Sequence, residues 1–199
     1  MTSRARIVAG AGLLLSATCV AILHFLRTDL EPGAHRLSEY ANGPYGWMMA
    51  VAFVALGCGL VALAVALWAE RGQGSIYSWT VPGAALAAGV GAIVSGAFRT
   101  GISHASEVVH SRASALATVA LVALALLYSL PAARRPGAVH TLGTGLALIA
   151  SGLAAISPLL HETRWTGLSQ RLLWIALLAW LLWVTRHRPP RWDGEASAP

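Results

Sequence analysis

The chain has no lysine, two cysteines and eight acidic residues in 199 positions, and charged residues make up only 11% of it. A soluble domain carries about 25% charged residues, so there is too little charge here to clothe a water-facing surface. Cys19 and Cys58 both lie inside apolar runs. Two isolated thiols so placed speak against a disulfide framework or a zinc site and fit small hydrophobic packing. No carboxylate stands in the middle of an apolar run, so a proton relay through the centre of a bilayer has no carrier. A glycine-rich phosphate loop, a Ser-His-Asp order and a nucleotide motif are all missing, and no cofactor is expected. The net charge of +6 comes entirely from arginine. These arginines sit singly or in pairs at the ends of apolar runs, where cations flank a membrane, and this does not point to nucleic acid.

What the chain does have is apolar sequence, 56% of the total, gathered into long runs. About 20 apolar residues at 1.5 Å each cross the hydrocarbon layer. Six such spans are expected, at about Ile7 to Phe25, Trp47 to Ala69, Ser78 to Phe98, Arg112 to Leu130, His140 to Leu160 and Leu168 to Thr185. Pro44 and Pro82 suit opening turns of the second and third, where proline is tolerated. The expected fold is an all-α integral membrane protein, a bundle of six transmembrane helices with no sheet. A single domain over residues 1–188 precedes a short, disordered cytoplasmic tail, 189–199. The first span is read as a retained helix, because its apolar run exceeds a signal-peptide core and no A-x-A-like cleavage site follows.

Arginine placement sets the expected orientation. With the N-terminus inside, inner segments hold Arg4, Arg6, Arg71, Arg134, Arg135, Arg186, Arg188 and Arg191, and outer ones hold Arg27, Arg36, Arg99, Arg112, Arg164 and Arg171. Eight against six, with the excess at the termini and at the Arg134–Arg135 pair, favours both termini in the cytoplasm. Asp29, Glu31, Glu39, Glu107 and Glu162 then fall outside, in the same three links that carry most of the histidines. Any chemistry is expected on that outer face of the cell membrane.

The first outer link contains "HRLSEYANGPYGW", His35 to Trp47. Its second half opens the next span, and Tyr45 and Trp47 fit an aromatic interfacial belt. If its first half is helical, His35, Ser38, Glu39 and Asn42 share one face. The alternative is a solvated helix with a cap and an anchor. The second link, "FRTGISHASEVVHSR", supplies Arg99, His104, Glu107, His110 and Arg112. Its histidines lack the i, i+4 spacing of a helical zinc pair. The third, "LLHETRWTGLSQR", supplies His161, Glu162, Arg164, Trp165, Gln170 and Arg171. Arg112 and Arg171 stand at the opening turns of their expected spans, where a cation opposes the helix dipole by several tenths of a kcal/mol. An acidic partner or an anionic ligand relieves that opposition; arginines snorkelling to the membrane boundary are the other reading. His24, near the end of the first span, is read as an interfacial or packed histidine. The small-residue rows Gly91/Ser95, Ala88/Ala92/Gly96 and Ala147/Ser151/Ala155 favour close helix packing.

The pattern H-x-x-S-x-Y-x-x-G-P-x-G-W ahead of "AFVALG" resembles the bacterial membrane family called domain of unknown function 998. An arginine at the third helix end with a downstream histidine, and "GLSQR" opening the last helix, resemble it too. The likeness covers about Ile7 to Arg186. It implies six helices, no established activity, and a layout similar to that of eukaryotic six-helix proteins linked to lipid handling. It marks His35, Ser38, Tyr40, Gly43, Trp47, His110 and Arg171. "FRTG" stands where that resemblance leads one to expect an acidic residue, which leaves an Asp-dependent role at this turn without its carrier.

Three functional expectations follow. The leading one is a site that binds or moves a lipid headgroup or small anionic amphiphile, with membrane lipids as partners. Its candidate residues are His35, Ser38, Glu39, Tyr40, Trp47, Arg99, His110, Arg112, Gln170 and Arg171, and it requires Arg112 and Arg171 to converge on residues 35–40. The second is a metal-assisted hydrolase using His35, His104, Glu107, His110 and His161, because activating water takes about three convergent ligands. The third is a non-catalytic membrane partner protein docking through its outer links.

Overall fold

The computed structural model describes residues 2–71, 76–133, 138–160 and 163–187. They form six α-helices: α1 (Thr2–Leu26), α2 (Gly46–Ala69), α3 (Tyr77–Ala97), α4 (His104–Ala133), α5 (Ala138–Ile156) and α6 (Thr166–Arg186). Two 3-10 helices, η1 (Leu37–Ala41) and η2 (Ser157–Leu160), lie in the links, and no strand occurs among the described residues. All six helices, α5 counted together with η2, are long and apolar enough to cross a membrane. The chain is an all-α, multi-pass membrane protein. The expected tail, 189–199, and Arg134, Arg135, Arg188 and Arg191 lie outside the described residues.

The helix starts differ from expectation at two places. α4 begins at His104, two turns before Arg112, so Glu107, His110 and Arg112 are helical. Ser103 accounts for this: its Oγ accepts the Ser106 amide at 3.2 Å and its carbonyl accepts that of Glu107 at 3.0 Å. A serine cap of this kind starts a helix whatever the hydropathy of its first turns. α2 begins at Gly46, after Pro44, because Gly43 (φ 78°) and Tyr45 (φ 61°) are both left-handed. That geometry is costly for tyrosine, and it turns the chain sharply into the helix. Pro82 lies in the second turn of α3 and not the first.

Each helix packs on its successor, α6 returns to α1, and α4 also touches α6. The result is a closed ring around a core that includes Leu60, Leu63, Leu67, Val81, Leu124, Tyr128 and Trp180, all fully buried. Small residues permit the close approaches. A Cβ on Gly91 of α3 would sit 2.8 Å from the Ala113 carbonyl oxygen of α4, and Ala88, Ala92 and Ser95 are buried beside it. The Ala147/Ser151/Ala155 row starts buried and runs out to an exposed Ala155.

The α1–α6 seam is tied at the end where α1 begins. Arg6 makes a two-pronged pair with Glu70, which caps the C-terminus of α2, Nε to Oε1 at 2.9 Å and Nη2 to Oε2 at 2.6 Å. Its Nη1 donates to the carbonyls of Val184 at 2.6 Å and His187 at 3.1 Å, at the C-terminal end of α6. Tyr128 of α4 donates to the same His187 carbonyl at 2.9 Å. One guanidinium thus joins three helices.

Candidate functional site

At the opposite end of the bundle, the loop after α1 folds back over the start of α6. The Leu168 amide, left free at the helix N-terminus, donates to the Gly33 carbonyl at 3.0 Å. The Leu37 amide donates to Gln170 Oε1 at 3.3 Å, which fixes η1 against α6. Gly167 lies under this loop, and a Cβ there would overlap the carbonyl oxygens of Pro32, Gly33 and His35. Any larger residue would lift the loop away.

That docking buries Arg171, which is 8% exposed. Its Nη1 donates to the His35 carbonyl at 2.7 Å and to Gly167 O at 3.0 Å. Its Nη2 donates to Tyr40 Oη at 3.1 Å, with the guanidinium carbon 5.4 Å from the Tyr40 ring centre. Its Nε donates to His24 Nε2 at 2.8 Å. His24 Nδ1 lies 2.7 Å from the Val20 carbonyl. A carbonyl can only accept and a guanidinium can only donate. His24 is therefore the neutral tautomer with its hydrogen on Nδ1 and a bare Nε2 facing Arg171. Four acceptors surround this cation, and all are formally neutral. Among the described residues no carboxylate pairs with it. The nearby carboxylate of Glu39 is engaged elsewhere, accepting from His35 Nδ1 at 2.7 Å and from the Arg36 amide at 3.2 Å.

A second buried arginine braces the same loop. Arg27, 6% exposed, grips Asp29 with Nε to Oδ1 and Nη2 to Oδ2, both at 2.8 Å. Its Nη1 donates to the Asn42 carbonyl and, at 3.4 Å, to Pro44 O. This guanidinium holds the Asp29 carboxyl below the usual carboxylate range.

The remaining candidates divide. Trp47 is exposed on the outside of the bundle, as an interfacial anchor requires. The five-residue η1 replaces the expected longer helix; within it the Ser38 carbonyl accepts from Thr100 Oγ1 at 3.4 Å. His110 is 4% exposed and closes the end of α3, its Nδ1 lying 2.9 Å from Ser95 O and 2.8 Å from Phe98 O. Its Nε2 meets Ser114 Oγ at 3.4 Å, and Phe53 packs edge-on against its ring. Arg112 does not join Arg171. It lines a shallow cleft of about 460 Å³ on the face of α4 with His104, Glu107, Val108 and Ser111. The early start of α4 puts it two turns into that helix and turns it outward. Arg99 is exposed, and its carbonyl accepts from Ser106 Oγ at 2.7 Å. His161 and Glu162 lie outside the described residues. Among those described, no three His, Cys, Asp or Glu side chains are grouped to hold a metal ion, and His104, Glu107 and His110 do not converge with His35.

Sequence reasoning missed two members of this end of the molecule, His24 and Arg27. The available signal was position: both fall at the end of α1, which faces the polar stretch that follows. No curated protein and no solved structure matches the chain. The family model described as Protein of unknown function (DUF998) matches residues 8–187, from the second turn of α1 to the end of α6 with the Arg171 junction included, and the chain belongs to that family.

Proposed function

We propose that the chain is a membrane-embedded binding protein whose Arg171 junction takes one acidic group of a lipid headgroup or small anionic amphiphile. The expected convergence with Arg112 is not met, so the reading stands on Arg171 alone. The observation that carries this reading is a buried guanidinium whose described acceptors are all neutral. A desolvated cation calls for a counter-charge, and a planar guanidinium suits phosphate, sulfonate or carboxylate. The arginine excess favours both termini in the cytoplasm; in that orientation the junction faces away from it and Trp47 suits the level of the headgroups. Binding alone, or binding as a step of transport, both use this chemistry.

Native mass spectrometry of the full chain, released from a mild non-ionic detergent, tests the reading. Wild type should retain an anionic lipid that Arg171→Gln loses, with helicity by circular dichroism unchanged between them. Equal retention by the two, or none by wild type, overturns it. A second reading, a purely structural pin, is favoured by the way the four bonds tie α1, the following loop, η1 and α6 together. In that case wild type and Arg171→Gln show no lipid difference, whatever the change in melting temperature.

A further inference from the structure

We infer that the junction is a proton-linked anion site in which His24 takes up one proton as the acidic ligand binds. The inference rests on the reading of Arg171 given above and adds its regulation. With its hydrogen on Nδ1, held by Val20 O, His24 has a single place left for a proton, Nε2. That atom already accepts the Arg171 Nε–H at 2.8 Å. Protonation turns the acceptor into a donor, so two N–H groups and two positive charges face each other in a half-buried site. The direct bond is lost, and both freed donors need the same thing, an oxyanion between them. An imidazolium beside a guanidinium is a far better receptor for an acidic group than a guanidinium whose acceptors are all neutral.

The surroundings leave this role to His24. From η1, Tyr40 lies against it with ring centres 5.1 Å apart. From α6 comes Arg171 itself, and the apolar cluster that includes Tyr40 also holds Met48, Met49 and Ala52 of α2 and Cys19 of α1. On the loop over Arg171, Glu39 is engaged by His35 and Asp29 by Arg27, while Glu31 is exposed beside Gly33 and makes no recorded contact with His24 or Arg171. No carboxylate recorded against His24 is free to neutralise the new charge from within. By linkage, a proton that improves anion binding is itself bound more tightly once the anion is present. Histidine changes charge between about pH 5 and 8, which sets the range to probe.

The test uses ligands whose own charge is constant over that range, inorganic sulfate and octyl sulfonate, titrated calorimetrically onto the detergent-solubilised full chain at pH 5.5 and pH 8.0. Wild type should bind about tenfold more tightly at the lower pH. A ratio of about ten with octyl sulfonate alone assigns the site to an amphiphile, and with both ligands to an anion of either source; each supports the proposal. His24→Gln keeps an acceptor for Arg171 and does not titrate, so its ratio should fall to about one. Repeating the wild-type titration at pH 7 in two buffers of different ionisation heat should show net proton uptake, a readout that needs no variant. Equal affinity at the two pH values, zero proton uptake, or loss of the ratio in His35→Gln but not in His24→Gln each overturn it. Binding without pH dependence removes this inference alone. Absence of binding at both values removes the anion-site reading with it.

Discussion

Arg171 and His24 meet as obligate donor and bare acceptor, Nε–H to Nε2 at 2.8 Å, so the first turns of α6 are joined to the last turn of α1 through a neutral ring. Arg171→Ala strips hydrogen bonds from His24, Tyr40 and the carbonyls of His35 and Gly167 together. A buried acceptor left without its donor costs about 1–3 kcal/mol, and relaxation recovers part of the sum. The variant should lose about 3 kcal/mol, seen as a lower melting temperature by tryptophan fluorescence in detergent. Melting within one degree of wild type would show that the junction carries no load.

Gly167 separates crowding from charge. A methyl group there meets three loop carbonyls, and overpacking of this kind costs about 1–3 kcal/mol. Gly167→Ala should therefore be destabilised in the same assay. Gly145→Ala and Gly152→Ala, whose added Cβ atoms meet nothing, should be neutral or stabilised by up to about 1 kcal/mol through helix propensity. The reverse ranking would contradict the packing described.

The Arg6–Glu70 pair predicts an asymmetric response. Glu70→Ala leaves Arg6, with a side chain 10% exposed, without its counter-charge and should cost about 3 kcal/mol. The double variant Arg6→Met, Glu70→Leu removes both charges and should be milder than Glu70→Ala alone. Additive losses in a double-mutant cycle of chemical denaturation would refute the coupling.

Asp29 gives the acid limb. Its carboxyl in the folded protein is held below its ordinary 3.8 by Arg27, so the unfolded chain binds the proton first. The stabilisation is fully present above that ordinary value and is lost as pH falls through the lower folded one. Melting curves from pH 5 to 2.5 should fall more shallowly for Asp29→Asn than for wild type. Parallel curves would mean that the Arg27 grip adds nothing.

The six helices were legible because spanning length and apolar content are properties of composition. Boundaries drawn from hydropathy hold where the apolar run and the helix end together, as at Ala69 and, within one residue of the expected Thr185, at Arg186. They fail at α4, where the Ser103 cap starts helix two turns before the apolar run does. That error also misplaced Arg112, whose side-chain direction depends on helical phase. Arg171 and Gln170 were legible as polar groups opening a span, and so was Tyr40 as part of a polar stretch at the same end. His24 was not, since a histidine in an apolar run looks the same whether it packs or accepts. Only the loop folded back over Gly167 brings it its donor. Arg27 was hidden for the same reason, because an arginine just past a span reads as an anchor until the carbonyls of Asn42 and Pro44 are seen to close on it.

Five of the six helix-to-helix junctions in the ring are made by covalent links. The sixth, between α6 and α1, is made by side chains: Arg6, in the second turn of α1, touches the Val184 and His187 carbonyls at one end, and Arg171 meets His24 at the other. Residues 6 and 187 are thus neighbours in space, and the ring has no privileged first helix. A circular permutant that bridges them with a short flexible linker and opens the chain between α3 and α4 keeps the interhelical surfaces of residues 6–187, the Arg6–Glu70 pair included.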